Sequence, residues 1–105
     1  MGYVYLICDP ANDSFKIGVT KKLDIDERMH KLQTGNSTEL FISSYFKCEY
    51  PFRLEKLLHL RFHGKRLHGE WFSLDVHDVT NFKATCKELI DIIESIKDNP
   101  FVHLT

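Results

Sequence analysis

The sequence predicts a single α/β domain, with a small, mainly antiparallel sheet of three strands flanked by three helices. Two β-rich runs, residues 2–7 and 15–20, are joined by turn-forming residues, and residues 39–48 alternate between two faces. Three other segments carry apolar residues at helical steps of three and four. The sequence leaves open whether the sheet has a fourth, short strand. At 105 residues the chain can build one modest core, so we expect one domain over 1–105.

The composition is typical of soluble globular proteins, with 43% hydrophobic and 28% charged residues. No apolar run approaches the roughly eighteen residues that span a membrane, and no signal peptide is recognisable. We therefore expect an intracellular protein, cytoplasmic or nuclear, without membrane contact. Cys8, Cys48 and Cys86 are widely spaced, without a Cys-x-x-Cys pair, and are expected to be reduced thiols in or near the core.

The first hairpin carries the first candidate site residues. Because strand side chains alternate, Tyr3 and Tyr5 share one face of the first strand. In the second strand Lys16 and Gly18 share a face in the same way. A face with tyrosines and a lysine is a place where water and an anion can meet.

The first helix is predicted over residues 24–33, because residues 24–27 resemble a capping box and acids suit the helix N-terminus. Its buried stripe consists of Ile25, Met29 and Leu32. Arg28 lies at the edge of this stripe, from where its side chain can reach the hairpin. The alternative for Arg28 is an i, i+4 ion pair with Asp24.

Residues 39–48 predict a third strand that is partly buried on both faces. A second helix is predicted from Pro51 to Gly64, since proline suits the first helical position. On it Glu55 and His59 lie at i, i+4 and are secondary site candidates. Their alternative is a pair on the helix surface.

Charge is distributed unevenly although the net charge is only −1. Residues 51–69 are basic and residues 75–98 are acidic, which permits a basic face on a near-neutral protein. The alternative is two solvated helix faces. The candidate phosphate contacts are Lys21, Lys22, Arg53, Lys56, Arg61, Lys65 and Arg66.

Glu70 follows a basic loop and directly precedes Trp71 and Phe72. These aromatics can anchor the backbone in the core while the carboxylate projects into a cleft. The alternative is a glutamate that pairs with Lys65 or Arg66. A strongly amphipathic helix is then predicted over about 76–97, ending at residues 99–100 and packing the core.

A zinc-stabilised interaction domain is a further alternative. His59 and His63 lie at i, i+4, where a helix would place both on one face, and His68 is close in sequence. No cysteine pair accompanies them.

Residues 2–74 resemble the GIY-YIG nuclease superfamily, particularly its small phage and viral members. The resemblance rests on Tyr3-Val4-Tyr5 and Lys16-Ile17-Gly18, followed in order by Arg28 and Glu70. It implies the sheet order and a nuclease site. In that site Tyr5 would be the general base or position water, Arg28 would hold the scissile phosphate, and Glu70 would bind one divalent ion, Mg²⁺ or Mn²⁺.

Two signature positions depart from the family pattern. Lys16 stands where the family usually has tyrosine, and Tyr3 stands where it has its first glycine. A free tyrosine has a pKa of about 10, so a catalytic base needs a nearby cation, which Lys16 could supply. Gly18 would allow close approach of substrate or of the next helix.

The sequence therefore predicts an endonuclease that hydrolyses DNA and is structure-directed or weakly specific, or a catalytic module that a protein partner targets. The alternative is a catalytically silent nucleic-acid-binding or protein-interaction module on the same fold. The form of the substrate and the oligomeric state stay open.

Overall fold

The structure, a computed structural model of the chain, describes residues 1–21 and 25–96. Its strands are β1 (Gly2–Asp9), β2 (Ser14–Thr20), β3 (Phe41–Cys48), β4 (Arg66–His68) and β5 (Trp71–Phe72). Its helices are α1 (Ile25–Thr34), α2 (Pro51–Arg61), α3 (Val76–Thr80) and α4 (Phe82–Ile96). The strands form one antiparallel sheet in the order β3-β1-β2-β5-β4. The predicted α/β class is confirmed, and the sheet has one strand more than the four that we allowed.

The hairpin of β1 and β2 lies at the centre of the sheet. Its loop is a short 3-10 turn, Pro10–Asn12, closed by Asp13 in the left-handed conformation with φ 48°. Asp13 N donates a hydrogen bond to Pro10 O at 3.3 Å. The resulting register pairs Tyr5 with Gly18, so these two residues lie on the same face of the sheet.

Helices cover both faces of the sheet. On one face Val4, Leu6 and Ile17 are buried in the larger core cluster, to which α2 and α4 contribute. On the other face Tyr5 and Ile7 form a smaller cluster with Leu40, against which Met29 and Leu32 of α1 and Trp71 pack. Met29 and Leu32 of the predicted stripe are thus confirmed, and the side chain of Ile25 lies outside the described part. None of the described helices is long and apolar enough to cross a lipid bilayer.

The predicted helix over 76–97 is divided in two at Asn81. Asn81 Nδ2 donates to His77 O at 2.8 Å, and such side-chain bonds compete with the helical ladder. The first piece, α3, begins with a capping box in which Asp75 and Asp78 each accept from the other's backbone N–H. The predicted helix end at residues 99–100 lies outside the described residues.

The strand β3 is more exposed in places than we expected. Phe41 is 49% exposed and Tyr45 is 48% exposed, whereas Ile42 and Phe46 are partly buried. A register shift in the β1–β3 pairing places Phe41 and Tyr45 on different faces of the sheet, so each face has one exposed aromatic residue beside partly buried ones. The reason for this exposure is topological, because β3 is an edge strand of the sheet.

The thiols lie where the sequence suggested. All three cysteines are free; Cys48 and Cys86 are buried and Cys8 is partly buried. Burial raises the pKa of Cys86 to about 12, so this side chain is a protonated core group near neutral pH.

We predict that Gly18→Ala strongly destabilises the protein. A Cβ at position 18 would lie 2.3 Å from both Cζ and Oη of Tyr5, a side chain that is only 1% exposed. Relieving this clash requires moving a buried ring, and the free energy of unfolding should fall by about 3 kcal/mol. Urea denaturation measures this loss. Gly64→Ala, whose Cβ would meet nothing within 4 Å, is the control and should change stability by less than about 0.5 kcal/mol.

Candidate active site

Four parts of the chain bring the predicted catalytic residues to one place. Tyr5 comes from β1, Lys16 from β2, Arg28 from α1 and Glu70 from the turn between β4 and β5. The last step depends on the β2–β5 pairing, in which Ile17 N donates to Glu70 O at 3.1 Å. The backbone of β2 thus positions the backbone of Glu70, from which the carboxylate side chain extends.

The Tyr5 hydroxyl is contacted by Arg28. Arg28 Nε donates to Tyr5 Oη at 3.4 Å, and Tyr5 is only 1% exposed. The pKa of Arg28 is raised above its ordinary value, chiefly by this hydrogen bond. Arg28 therefore reaches the hairpin as predicted, while its alternative partner, Asp24, lies outside the described residues.

Lys16 forms an ion pair with Glu70. Its Nζ lies 3.0 Å from Glu70 Oε2 and 5.7 Å from the centroid of the Trp71 ring. The expectation that Lys16 would be the cation beside the Tyr5 hydroxyl is therefore not met, because Arg28 makes that contact. The β2–β5 register explains the difference, since it pairs Lys16 with Trp71, next to Glu70.

Glu55 and His59 join the same cluster. One ligand atom from each of Glu55, His59 and Glu70 lies within 4.8 Å of the others. Glu55 Oε2 is buried and has no hydrogen-bond partner among the residues that the structure describes. Burial raises the pKa of Glu55, the charge of Glu70 adds to this effect, and His59 and Lys16 oppose it. The alternative of an exposed surface pair is wrong, because Glu55 and His59 are both partly buried.

The ring of His59 is held on two sides. Its Nε2 lies 2.9 Å from Ile17 O, and its ring packs edge-to-face on Phe72 with centroids 5.0 Å apart. A carbonyl oxygen can only accept, so Nε2 must carry the hydrogen in this bond. In the neutral ring Nδ1 is then the unprotonated nitrogen, which can accept a proton or bind a metal.

The donor set of this cluster fits a divalent ion. It combines two carboxylates with an imidazole, and it includes a buried carboxylate oxygen that no protein donor satisfies. In residues 1–21 and 25–96 it is the only group of three such side chains close enough to share an ion.

The alternative zinc site is not formed. His59, His63 and His68 make no such group in the described chain. Because α2 ends at Arg61, His63 lies in a 3-10 turn, and its Nδ1 lies 2.9 Å from Leu60 O.

Two of the predicted phosphate contacts already have acidic partners. Arg61 Nη2 lies 3.3 Å from Glu88 Oε1. Lys65 Nζ contacts both Asp75 and Asp78, the residues of the α3 capping box. The acidic segment thus neutralises part of the basic segment within the protein itself.

The other predicted phosphate contacts are more accessible. Arg66 Nε donates to Gly69 O at 2.8 Å, so neither it nor Lys65 pairs with Glu70, and that alternative is wrong. Among these remaining predicted contacts, the exposed side chains are Lys21, Arg53, Lys56 and Arg66. Lys22 lies outside the described residues.

Tyr3 contacts the edge strand β3 instead of the catalytic candidates. Its ring packs against Tyr45 of β3, with centroids 6.0 Å apart. Two contacts at the site itself were not predicted: the hydrogen bond between Arg28 and Tyr5, and the position of Trp71 beside Lys16. Both depend on cross-strand register and helix docking, which no local sequence pattern reveals.

Comparison with known families gives the class of the protein. The chain falls among phage-type domains that are associated with nuclease-related proteins. A profile of the T5orf172 domain matches residues 2–94, and the chain belongs to this family. The match extends beyond residues 2–74, on which the GIY-YIG resemblance rests. No curated protein and no solved structure matches the chain.

We predict that Glu55 makes the metal-free protein less stable as pH rises. The folded protein holds the Glu55 proton more tightly than the unfolded chain, because its pKa is raised by burial. Stability is therefore lost between the ordinary pKa of about 4.3 and the raised value. As pH rises through this window, the free energy of unfolding of Glu55→Gln should increase relative to that of the wild type, as measured by urea denaturation in chelator. An equal increase in the exposed control Glu39→Gln, or no increase in Glu55→Gln, would contradict the prediction.

Proposed function

We propose that the protein is a metal-dependent endonuclease that hydrolyses DNA phosphodiester bonds. The observation that carries the proposal is the convergence of Tyr5, Lys16, Arg28 and Glu70 from four separate parts of the chain. Phosphodiester hydrolysis needs an activated water, neutralisation of charge at phosphorus and help for the departing oxygen. A hydroxyl, two cations and a carboxylate in one place supply groups for these tasks.

Arg28 would hold the scissile phosphate. Its contact with Tyr5 Oη, at 3.4 Å, is long for a hydrogen bond and can be exchanged for a stronger one. The planar guanidinium offers two parallel donors to phosphate, and a charge-assisted pair of this kind is favoured over a bond to a neutral hydroxyl. Moving Arg28 to the phosphate would also uncover the hydroxyl of Tyr5.

Tyr5 would position the attacking water or accept its proton. The ring is fixed over Gly18, so the hydroxyl has little freedom to move away from the bound phosphate. Lys16 would add positive charge near the same phosphate and offset part of the charge of Glu70, which it contacts at 3.0 Å. The chain's own residues would thus orient water and neutralise the reacting group.

Glu70 would bind one divalent ion, Mg²⁺ or Mn²⁺. Its side chain is 40% exposed, so an ion from solvent can reach it despite the ion pair with Lys16. When bound, such an ion stabilises negative charge on the phosphate and the departing oxygen.

A second candidate is a nucleic-acid-binding module that does not cleave. It is favoured by the burial of Tyr5, which is 1% exposed, and by the engagement of Glu70 with Lys16 in the protein without substrate. This candidate requires that Arg28 stay on Tyr5 when DNA binds.

We predict that the wild type nicks or linearises plasmid, or cuts branched DNA, with Mg²⁺ or Mn²⁺ and not in chelator. Glu70→Gln, Arg28→Met and Tyr5→Phe should each lower the cleavage rate at least about 100-fold, because each removes a group used in the transition state. Quantitative gel assays measure these rates.

Conservative substitutions outside the site are the controls. Glu39→Gln removes an exposed carboxylate, and Tyr50→Phe removes a hydroxyl that lies outside the cluster; both should cut like the wild type. DNA binding without cleavage under either metal would favour the second candidate. Activity that survives all three site substitutions would place the chemistry elsewhere.

We predict that DNA affinity depends on salt and not on sequence. Arg53→Gln and Lys56→Gln should each weaken binding to all duplexes alike and reduce the slope of log K against log salt by about 1. Arg61→Gln should reduce it less, because Glu88 already lies 3.3 Å from this guanidinium. Fluorescence anisotropy over a salt series measures the slopes. Equal slope changes in all three variants would contradict the effect of the internal ion pair.

A further inference from the structure

We infer that Glu55, His59 and Glu70 bind one divalent ion together, and that His59 makes this site prefer Mn²⁺ to Mg²⁺. The inference rests on the proposed function only in taking Glu70 as a metal ligand. It adds two protein ligands to that carboxylate and names the class of ion that the site selects.

The geometry brings the three donors together. Glu55 and His59 lie one helical turn apart on α2, and Glu70 lies in the turn between β4 and β5. One donor atom of each lies within 4.8 Å of the others. Ligands about 2.1 Å from a shared ion lie at most about 4.2 Å apart, so only a small side-chain adjustment is needed.

The state of Glu55 fits that of a metal ligand. Its Oε2 is buried and has no hydrogen-bond partner in residues 1–21 and 25–96, which is unfavourable for a carboxylate. The nearby ammonium of Lys16 forms its ion pair with Glu70. A divalent ion would satisfy the Glu55 oxygen and neutralise both carboxylates at once.

His59 is held in the orientation of a metal ligand. Metal-binding histidines usually donate their second ring N–H to a carbonyl or carboxylate, which fixes the tautomer and the ring. The bond from Nε2 to Ile17 O and the packing on Phe72 do this for His59. Mg²⁺ keeps several waters and is bound through oxygen ligands in near-ideal octahedral geometry. Mn²⁺ also suits oxygen ligands, but as a transition-metal ion it gains more than Mg²⁺ from a nitrogen ligand, so His59 favours Mn²⁺ over Mg²⁺.

The test is Mn²⁺ binding by the full chain without DNA, followed by electron paramagnetic resonance, with Mg²⁺ as competitor. The wild type should bind one Mn²⁺, at least about tenfold more tightly than Mg²⁺. Glu55→Gln and Glu70→Gln should each weaken Mn²⁺ binding by about tenfold or more. Glu39→Gln is the matched control and should bind like the wild type, and urea denaturation establishes that each variant is folded.

His59→Gln provides the most specific readout. The glutamine amide can still donate to Ile17 O, but it offers no imidazole nitrogen. This variant should lose the preference for Mn²⁺ while its Mg²⁺ affinity changes by less than about threefold. Wild-type affinity in folded Glu55→Gln or His59→Gln, or no Mn²⁺ binding by the wild type, would overturn the inference.

The outcome is separable from that of the nuclease assay. If Mn²⁺ binding depends on all three residues and no DNA is cut, the inference stands and the proposed function fails. If DNA is cut and only Glu70→Gln weakens metal binding, the proposed function stands and the inference fails.

Discussion

The arrangement depends first on the pairing of β1 with β2, which places Tyr5 across from Gly18. The ring of Tyr5 occupies the space that a side chain at position 18 would fill, so position 18 must be glycine while the ring keeps this place. A register shift of one residue would turn Tyr5 to the opposite face of the sheet, away from Arg28 on α1. The β2–β5 pairing then adds Glu70 beside Lys16. The two strand pairings thus determine which of the charged groups lie beside each other.

The cluster of Glu55, His59 and Glu70 contains more charge than the stability of the fold requires. Two carboxylates lie close together, and Lys16 contacts only one of them closely. Within the described part of the chain, Glu55 has a buried oxygen without a hydrogen-bond partner, although an apolar residue of similar size on α2 would pack there without that loss. Groups that lower stability in this way concentrate at functional sites. Gly18 differs from Glu55 in this respect. The packing of Tyr5 explains why position 18 is glycine, whereas packing does not explain why position 55 is glutamate.

Local patterns in the sequence were enough to predict the hairpin and the helix that carries Arg28, whereas the choice of Arg28 and Glu70 as site residues rested on the family resemblance. The partner of each charge was not predictable, because Arg28 or Lys16 could equally have met Tyr5 until the position of β5 was known. Strands β4 and β5, with three and two residues, are too short to show a period. The break at Asn81, whose side chain donates to His77 O, is not visible in the sequence, because the apolar stripe continues regularly through it.

The charge distribution also limits how the proposed nuclease would hold DNA. Basic and acidic segments separated in the sequence meet in the fold, where Glu88 contacts Arg61 and the α3 capping box contacts Lys65. Apart from Arg61 and Lys65, the predicted phosphate contacts that the structure describes are the exposed side chains Lys21, Arg53, Lys56 and Arg66. So small a set of phosphate contacts would give weak, salt-sensitive affinity. A site that depends on several converging groups needs its substrate held in a defined position. Weak backbone contacts alone supply little of that positioning, so recognition of DNA shape or a targeting partner would have to provide the rest.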